Sequence, residues 1–442
     1  MNSVAGLPGV DFSVEDLRPE FPEELEITPL EKPPDATIRV PGSKSVTNRA
    51  LIVCALADGP SRITNPLFAD DSYWLMDALV RLGIDVRADS GRGELYIAGQ
   101  GGAIGGSGLD LFVGNAGTVA RFLPPVLALG RGPYTVDGVP RMRERPVADL
   151  VDAMRQLGAA VEYGGEEGRF PLTITGGGIP GGEARVSGSK SSQFISGLLM
   201  AAPYAARDVT LLVEGREQWP YVGITVAMMR AFGVPVDEAR GRFAVEPATY
   251  TARAHEVEPD ASGASYFMAA AAVTGGRVRI PGLGSTSPQG DLRFAGVLRD
   301  MGCSVEMTPD SVEVIGPDRL RGVEVDMNAF SDTMITLSAI APFADGPTTI
   351  NNVAHTRLQE SDRLFAVATE LGRLGIETQT TKSSIRIIPG VVRPGVLRTY
   401  GDHRMAMAFA VTGLVAPGVR VGDPGCVSKT FPGYFGLLES LR

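Results

Sequence analysis

Six stretches of the chain share one pattern, in which small or polar residues precede an apolar run of about three helical turns. They start at about 70–74 residue intervals, at Gly42, Gly114, Gly188, Asp260, Asp332 and Asp402. Most of the apolar runs are rich in Ala and aliphatic residues and stop near a glycine, which is typical of a buried helix and its C-terminal signal. The pattern therefore predicts six buried helices at equal spacing.

A second kind of helix follows each of the first five apolar runs. Segments such as "WLMDALVRLG" and "LVDAMRQLG" alternate apolar and polar positions with helical spacing and end at Gly. Short β-branched segments lie between the helices and predict strands. Self-similarity at one period indicates a duplicated architecture, here a strand–helix–strand–helix–strand unit repeated six times. If the units pack around common axes, the starts of the buried helices converge, and converging helix N-termini form an anion-binding site.

Length and composition restrict the class of protein. A chain of 442 residues with 44% hydrophobic residues is expected to form two or three globular domains. The net charge of −10 disfavours a nucleic-acid or membrane-surface partner. Only three cysteines occur, so we expect no disulfide framework. With no signal-peptide pattern and no long apolar run, we expect a cytoplasmic protein whose Pro- and Glu-rich residues 1–35 form a loose extension.

Cations recur at the predicted helix starts and loops, where an acidic chain would otherwise place few of them. They are Lys44, Arg49, Arg121, Arg141, Arg143, Arg145, Arg357, Arg363, Arg404 and Lys429. A single such cation is more often a solvated surface residue than a functional one. The segment "RMRERP" is equally compatible with a solvated charge run and with an anion site.

Carboxylates accompany the cations, namely Asp332, Glu360, Asp362 and Asp402. Each can be a structural ion-pair partner or a general acid or base, and the residues alone leave both alternatives open. Other chemistries fit poorly. The chain has no Gly-Lys dipeptide for a phosphate loop, and His255, His355 and His403 lack metal-ligand spacing.

Seven ordered motifs resemble the 5-enolpyruvylshikimate-3-phosphate (EPSP) synthase family. They are "PGSKSVTNRAL", "GNAGT", "RMRERP", "SSQF", "QESDRL", "DHRMAM" and "SKTFPGYF". The likeness runs from about residue 35 to the C-terminus. It implies an α/β fold of two inside-out α/β barrel domains. The chain would contain six βαβαββ repeats, three in each domain, with pseudo-threefold symmetry in each domain. Residues 1–40 with 259–442 would form domain 1, residues 41–258 would form domain 2, and the active site would lie in the interdomain cleft.

The resemblance also implies a reaction. The enolpyruvyl group of phosphoenolpyruvate passes to the 5-hydroxyl of shikimate 3-phosphate, and phosphate is released. We expect a monomer that acts on these two small molecules and needs no metal or organic cofactor. In the roles implied, Asp332 is the base for the hydroxyl, Glu360 protonates carbon 3 of phosphoenolpyruvate, and Lys44 assists.

Binding residues are carried over by motif position. For phosphoenolpyruvate they are Lys44, Asn115, Gly117, Arg145, Gln193, Arg363, Arg404 and Lys429. For shikimate 3-phosphate they are Lys44, Ser45, Arg49, Ser191, Ser192, Gln193, Tyr221, Asp332, His355 and Gln359.

Three departures from the family's motifs concern the acceptor. Gln359 replaces a lysine, His355 replaces a frequent asparagine, and Gln218 aligns with a frequent serine. The alternative is an enolpyruvyl transferase of the same fold that acts on a different alcohol. A catalytically inactive binding protein is disfavoured, because the candidate catalytic residues are all retained.

A fourth departure concerns inhibition by the phosphoenolpyruvate mimic glyphosate. The retained Gly117 favours sensitivity, whereas Phe122 stands where the family often has proline and favours tolerance. The sequence leaves both outcomes open.

Overall fold

The structure is a computed structural model that describes residues 7–18, 20–215 and 220–442. The chain folds as two compact units, each assembled from two separate segments. Residues 7–17 with Gly42–Val257 form the first unit, and residues 18 and 20–41 with Glu258–Arg442 form the second.

Thirteen α-helices occur in the described part of the chain. Numbered in chain order, they are α1 Lys44–Leu56, α2 Asp70–Arg81, α3 Gly117–Ala128, α4 Pro140–Glu144, α5 Ala148–Gln156, α6 Gln193–Ala201, α7 Pro220–Ala231, α8 Ala261–Thr274, α9 Phe294–Asp300, α10 Met334–Ile340, α11 Arg363–Arg373, α12 His403–Gly413 and α13 Tyr434–Glu439. Short 3₁₀ helices include Asn328–Thr333, Ala354–Leu358 and Pro424–Lys429.

The strands of the described residues are short. They are β1 Glu24–Glu26, β2 Asp35–Thr37, β3 Asp58–Thr64, β4 Asp85–Asp89, β5 Glu94–Gln100, β6 Leu109–Phe112, β7 Tyr134–Asp137, β8 Val161–Tyr163, β9 Leu172–Ile174, β10 Gly182–Ser187, β11 Val209–Glu214, β12 Asp237–Ala239, β13 Arg242–Val245, β14 Ala254–Glu256, β15 Arg277–Pro281, β16 Ser304–Met307, β17 Ser311–Ile315, β18 Glu324–Asp326, β19 Thr348–Asn351, β20 Thr378–Thr380, β21 Ile385–Ile387, β22 Gly395–Leu397 and β23 Val419–Gly422.

These strands form six sheets that share one order. In the first unit the sheets are β14-β3-β5-β4, β6-β7-β9-β8 and β10-β11-β13-β12. In the second they are β2-β15-β17-β16, β18-β19-β21-β20 and the three-stranded β22-β23-β1. In each sheet the first pair of strands is parallel and the remaining pairs are antiparallel. The protein is therefore a mixed α/β fold with one repeated sheet topology.

The apolar helices lie at the centre of each unit. In the first unit α1, α3 and α6 pack against one another, and in the second α8, α10 and α12 do so. Every residue of α3 and of α12 is buried. A helix that is apolar all round must be surrounded by protein, so the six apolar runs become the two helical cores. Amphipathic helices such as α2 and α11 expose their polar faces.

The N-terminal segment departs from expectation. Residues 1–35 were expected to be a loose extension grouped with residues 259–442, but residues 7–17 pack in the first unit. Phe12 is buried and its ring contacts Phe68 and Tyr73 at centroid distances of 5.1 and 5.9 Å. Four buried apolar residues, Leu7, Phe12, Val14 and Leu17, anchor the segment.

Strands β1 and β2 also lie within the segment that was expected to be loose. They join sheets of the second unit through β23 and β15. β1 is the third strand of the sixth sheet, although it precedes β22 and β23 in the chain. In the other five sheets the third strand comes later in the chain than the second strand. None of the described helices combines the length and hydropathy that crossing a membrane would require.

Replacing Phe12 with Ala should loosen the N-terminal segment from the first unit. Large-to-small substitution at a buried aromatic typically costs about 3–5 kcal/mol. The backbone N–H of Ala88 donates to the Gly9 carbonyl at 2.9 Å, so hydrogen exchange at Ala88 reports this docking directly. We expect faster exchange at Ala88 in Phe12→Ala and unchanged exchange in the exposed control Glu15→Ala. Equal protection in both variants would contradict an anchoring role for Phe12.

Candidate active site

The first turns of α1 place two cations in different surroundings. Lys44 is only 12% exposed, and its Nζ lies 3.5 Å from Oδ2 of the buried Asp71. Arg49 is completely withdrawn from solvent, with a guanidinium 5.0 Å from the centroid of the Phe122 ring. Lys44 therefore has a carboxylate beside it, whereas Arg49 faces an aromatic ring and uncharged groups.

Arg49 donates hydrogen bonds to oxygens that carry no net charge. The acceptors are Thr225 Oγ1 at 2.7 Å, Ser196 Oγ at 3.1 Å, and the carbonyls of Ser45 and Tyr221 at 2.8 and 2.9 Å. Burial lowers the pKa of Arg49 to about 9, which still leaves the guanidinium charged at neutral pH. A buried charge whose hydrogen bonds are satisfied by dipoles gains strongly from an approaching anion.

Side-chain hydrogen bonds bring the starts of four helices together. Asn48 of α1 donates to Thr118 of α3 at 2.7 Å, while Arg49 contacts Ser196 of α6 and Thr225 of α7. The predicted convergence of helix starts is therefore observed within this unit. Ser191 lies beside the start of α6, where its hydroxyl accepts from the Gln193 backbone N–H at 3.2 Å.

In the three core helices of the first unit the N-cap residue itself makes no side-chain cap in the described structure, although Ser191 Oγ accepts from the first N–H of α6. Their N-cap residues are Ser43, Ala116 and Ser192, and within the described part of the chain none of the three makes a side-chain capping hydrogen bond. The first turns of a helix leave backbone N–H groups that need acceptors. No acidic residue occurs in these first turns either, so the positive ends of α1 and α3 have neither an acidic side chain nor an N-cap bond to offset them in the described structure, which suits them to an anionic ligand.

The segment "RMRERP" separates into surface and buried arginines. Arg141 pairs with Glu144 and Arg143 pairs with Asp137 at the surface. Arg145 is buried and donates to the backbone carbonyl and side chain of Asn115 at 3.3 and 3.4 Å. Only the third arginine therefore joins the start of α3, and the other two match the interpretation as a solvated charge run.

Arg121 holds the backbone around Arg145. Its guanidinium is buried and donates to Met142 Sδ at 2.9 Å and to the Pro146 carbonyl at 3.1 Å, on either side of Arg145. We call Lys44, Arg49 and Arg145, with the starts of α1, α3 and α6, the first-unit cluster.

The second unit contains a dense ion-pair network, which we call the second-unit cluster. It comprises Asp332, Glu360, Arg363, Asp402, Arg404 and Lys429. Arg363, at the start of α11, pairs with Asp402 at 2.8 Å, with Glu360 at 3.0 Å and with Asp332 at 3.1 Å. Burial lowers the pKa of the Arg363 guanidinium, but the three carboxylates outweigh burial and hold that pKa above its ordinary value.

Arg404 occupies the start of α12 and shares Asp332 with Arg363. Its guanidinium is 2.7 Å from Asp332 Oδ2 and 3.3 Å from the Tyr266 hydroxyl. Burial opposes the charge, while Asp332 raises the pKa of Arg404 well above its ordinary value. Burial also raises the pKa of Tyr266 to about 12, so this hydroxyl is protonated at neutral pH.

The carboxylates divide into structural and accessible groups. Asp402 is fully buried, accepts from the Arg404 backbone N–H and the Ser361 hydroxyl, both at 3.0 Å, and caps α12. Asp362 caps α11 and pairs with Arg357 near the surface. Glu360 is 8% exposed and lies 3.7 Å from Lys429 Nζ. Asp332 is 20% exposed, which makes it the carboxylate of the cluster that a substrate reaches most easily.

The residues at the departure positions lie beside this cluster, as far as the structure describes them. Gln359 Nε2 donates to Asp332 Oδ1 at 3.4 Å, and His355 Nε2 shares a 2.7 Å hydrogen bond with Ser331 Oγ. Gln218 falls outside the described residues. Arg357 bonds instead to Asp362 and to carbonyls of the β20–β21 connection, which assigns it to the scaffold.

Several polar residues of the two clusters were not among the candidates from sequence. They are Asn48, Asp71, Ser196, Thr225 and Tyr266. Thr225 lies four residues after Tyr221 on α7, so helical spacing from a candidate residue gives a signal for it. Asn48 and Ser196 lie four residues after the candidates Lys44 and Ser192, so the same signal applies to them, whereas Asp71 and Tyr266 lie in acidic and apolar segments with no comparable local signal.

Both units thus define a class of protein that holds several buried cations at helix starts and is built for small anionic ligands. The family model for EPSP synthase (3-phosphoshikimate 1-carboxyvinyltransferase) matches residues 30–438. The chain belongs to the EPSP synthase family.

Curated relatives and solved structures agree with this assignment. The 3-phosphoshikimate 1-carboxyvinyltransferase of Trichormus variabilis is 48% identical over 93% of this chain and 98% of its own length. That of Nostoc punctiforme is 47% identical over the same shares. The EPSP synthase structure from Acinetobacter baumannii aligns with a TM-score of 0.80 at 26% identity, covering 95% of this chain and 98% of that one. The enolpyruvyl transferase NikO from Streptomyces tendae, at 19% identity, a TM-score of 0.76 and coverage of 95% and 96%, shares the fold.

Two aspartates that cap helices allow a matched test of the network. In Asp402→Asn the amide can still cap α12, but buried Arg363 loses its shortest ion pair. Breaking a buried pair typically costs about 3–5 kcal/mol. In the control Asp362→Asn, the cap of α11 is likewise retained and only a partly exposed pair is lost, which costs at most about 1 kcal/mol. Urea unfolding should show the large loss of stability for Asp402→Asn alone, and similar losses in both variants would refute a central role for the buried pair.

Proposed function

We propose that this chain transfers the enolpyruvyl group of phosphoenolpyruvate to the 5-hydroxyl of shikimate 3-phosphate, giving EPSP and phosphate. Family membership over nearly the whole chain supports the reaction type. The observation that carries the proposal is the first-unit cluster, in which three cations lie near helix starts whose N-cap residues make no side-chain capping bond among the described residues. Both substrates carry a phosphate and a carboxylate, which such a cluster would bind.

The proposed contacts follow the motif positions and the charges around them. Phosphoenolpyruvate would be bound by Lys44, Asn115, Gly117, Arg145, Gln193, Arg363, Arg404 and Lys429. Shikimate 3-phosphate would be bound by Lys44, Ser45, Arg49, Ser191, Ser192, Gln193, Tyr221, Asp332, His355 and Gln359.

The first chemical step is an addition. Asp332 takes the proton of the 5-hydroxyl while the hydroxyl oxygen bonds to carbon 2 of phosphoenolpyruvate. The electrons of the double bond take a proton at carbon 3 from Glu360, and Lys44 assists. Asp332 suits the role of base because Arg363 and Arg404 fix its two oxygens while it keeps some exposure. Positioning of this kind makes a proton transfer efficient.

The second step is an elimination from the tetrahedral intermediate. Carbon 3 returns a proton to Glu360, the double bond reforms, and the bond between carbon 2 and the phosphate oxygen breaks. The departing phosphate takes up the proton that Asp332 removed from the 5-hydroxyl, so that both carboxyl groups regain their starting states. Cations around the leaving phosphate stabilise its charge. Lys429 lies beside Glu360, which puts a cation next to the group that transfers the proton.

A finer architecture belongs to the same proposal. The shared strand order of the six sheets and the packing of three core helices in each unit support an inside-out α/β barrel, with pseudo-threefold symmetry within each unit. We further expect a cytoplasmic monomer, as inferred from the sequence and from the resemblance.

Asp332→Asn should stop turnover while leaving the fold intact. Asparagine keeps the size and can still accept from Arg404, but it is no longer a base. Loss of a general base lowers kcat by about 10²–10⁴. The measurement is phosphate release from phosphoenolpyruvate with and without shikimate 3-phosphate, in the wild-type protein and in the variant.

The acceptor is tested in the same experiment. Release by the wild-type protein should require shikimate 3-phosphate. Binding of phosphoenolpyruvate without release would instead favour a transferase for a different alcohol and would direct attention to Gln218, His355 and Gln359. Full activity of Asp332→Asn in a correctly folded variant would remove Asp332 from the role of base.

Gly117→Ala should weaken binding of phosphoenolpyruvate by displacing Arg145. A Cβ at this position would lie 2.6 Å from an Arg145 guanidinium nitrogen, so the flexible end of that side chain must move. Hydrogen bonds to charged groups contribute about 1.5–3 kcal/mol, so we expect KM for phosphoenolpyruvate to rise at least about tenfold. The control Gly296→Ala, whose added Cβ meets nothing within 4 Å, should leave KM unchanged. An unchanged KM in Gly117→Ala would argue against Arg145 as a ligand-binding residue.

A further inference from the structure

Glu370 is a buried carboxylate outside both clusters, and its hydrogen bonds lead towards the second-unit cluster. It lies on α11 and has no solvent exposure. The Tyr400 hydroxyl donates to its Oε1 at 2.6 Å, and the Arg398 backbone N–H donates to its Oε2 at 3.0 Å. Arg373, which is 42% exposed, lies 3.2 Å from Oε1. Both oxygens of Glu370 are therefore bonded to one short segment between β22 and α12.

That segment has an unusual backbone. Tyr400 has a φ of +57° and Gly401 a φ of +65°, so two consecutive residues are left-handed. The left-handed region is unfavourable for a residue with a side chain, and it persists only where the surroundings enforce it. These two residues turn the chain so that Asp402 caps α12, and the turn is closed by a hydrogen bond from Asp402 N to the Thr399 carbonyl at 2.9 Å.

The same helix contacts the turn at two points. Arg363, at the start of α11, pairs with Asp402 at 2.8 Å, and Glu370, seven residues later, bonds Arg398 and Tyr400. Residues seven apart lie on one face of a helix, about 10 Å apart along its axis. Two contacts at this separation prevent the turn from tilting against α11. The turn before α12 also determines where that helix begins, and therefore where Arg404 lies.

We propose that Glu370 is a positioning residue that, through Tyr400 and Arg398, fixes the turn before α12 and thereby aims Arg404 at the same anionic ligand as Arg363. The inference rests on the proposed function, because it assigns the ligand as phosphoenolpyruvate. Glu370 touches no reacting atom in this scheme. Its effect is on the geometry of Arg404 and on the affinity for the phosphate-bearing substrate.

Tyr400→Phe is the most selective test. It removes the hydroxyl that bonds Glu370 but keeps the ring, which packs edge-on against Phe365 at 6.5 Å. The side chain is 39% exposed, so the variant is expected to fold. We predict a three- to tenfold increase in KM for phosphoenolpyruvate, with a smaller change in KM for shikimate 3-phosphate. Glu370→Gln, in which one oxygen acceptor is lost, should give an increase of at least the same size.

Arg373→Met is the matched control. It removes a partner from the same carboxylate without touching the turn, so KM for phosphoenolpyruvate should stay within twofold of the wild-type value. An equal rise in KM for Arg373→Met would show that any disturbance of Glu370 has this effect. It would overturn the proposal that Glu370 acts through the turn before α12.

Hydrogen exchange separates the inference from the proposed function. Amides of residues 398–404 should exchange faster in Tyr400→Phe and Glu370→Gln than in the wild-type protein or in Arg373→Met. Faster exchange with an unchanged KM would make Glu370 merely structural and would refute the proposal. Absence of phosphate release dependent on shikimate 3-phosphate in the wild-type protein would refute the proposed function, whatever the exchange shows.

Discussion

The ion pairs of Arg363 are the interaction on which the second unit's site depends. A guanidinium withdrawn from water must be compensated by nearby charge, and here Asp402, Glu360 and Asp332 supply it. Each of these carboxylates also orients something else. Asp402 caps α12, Asp332 binds Arg404, and Glu360 lies beside Lys429. Satisfying one buried cation therefore fixes the relative positions of every other charged group in the second-unit cluster.

The two clusters compensate their cations in different ways, and the difference has chemical consequences. Arg49 is satisfied by hydroxyls and carbonyls, so an anion that reaches it displaces no carboxylate and gains the full attraction of a poorly solvated charge. Arg363 and Arg404 already hold carboxylates, so an anion there must share them. The two clusters therefore differ in how far an incoming anion must compete with carboxylates of the protein.

Much of the fold could be predicted from sequence because its signals are local. The six apolar runs became α1, α3, α6, α8, α10 and α12, since Ala-rich segments without a polar face must be buried. The placement of β1 could not be predicted, because β1 pairs with Val419–Gly422, nearly four hundred residues away. The placement of residues 7–17 likewise depends on contacts distant in sequence, such as those of Phe12 with Phe68 and Tyr73. In "RMRERP" composition and charge could not separate Arg145 from its neighbours, since the short α4 decides which side chain is buried. Only the family resemblance separated Arg145 from them.

The repeated unit also explains why charge alone was an incomplete guide to the site. Each core helix presents the same kind of start, so the residue before it determines what that start can bind. Asp260 and Asp402 cap α8 and α12 with their own carboxylates, which satisfies those helix ends internally. Ser43 and Ala116 precede α1 and α3 and make no such capping bond in the described structure, whereas the first N–H of α6 donates to Ser191. The starts of α1 and α3 therefore differ from those of α8 and α12, and a helix start without a side-chain acceptor of its own is the kind that can receive a ligand's anion.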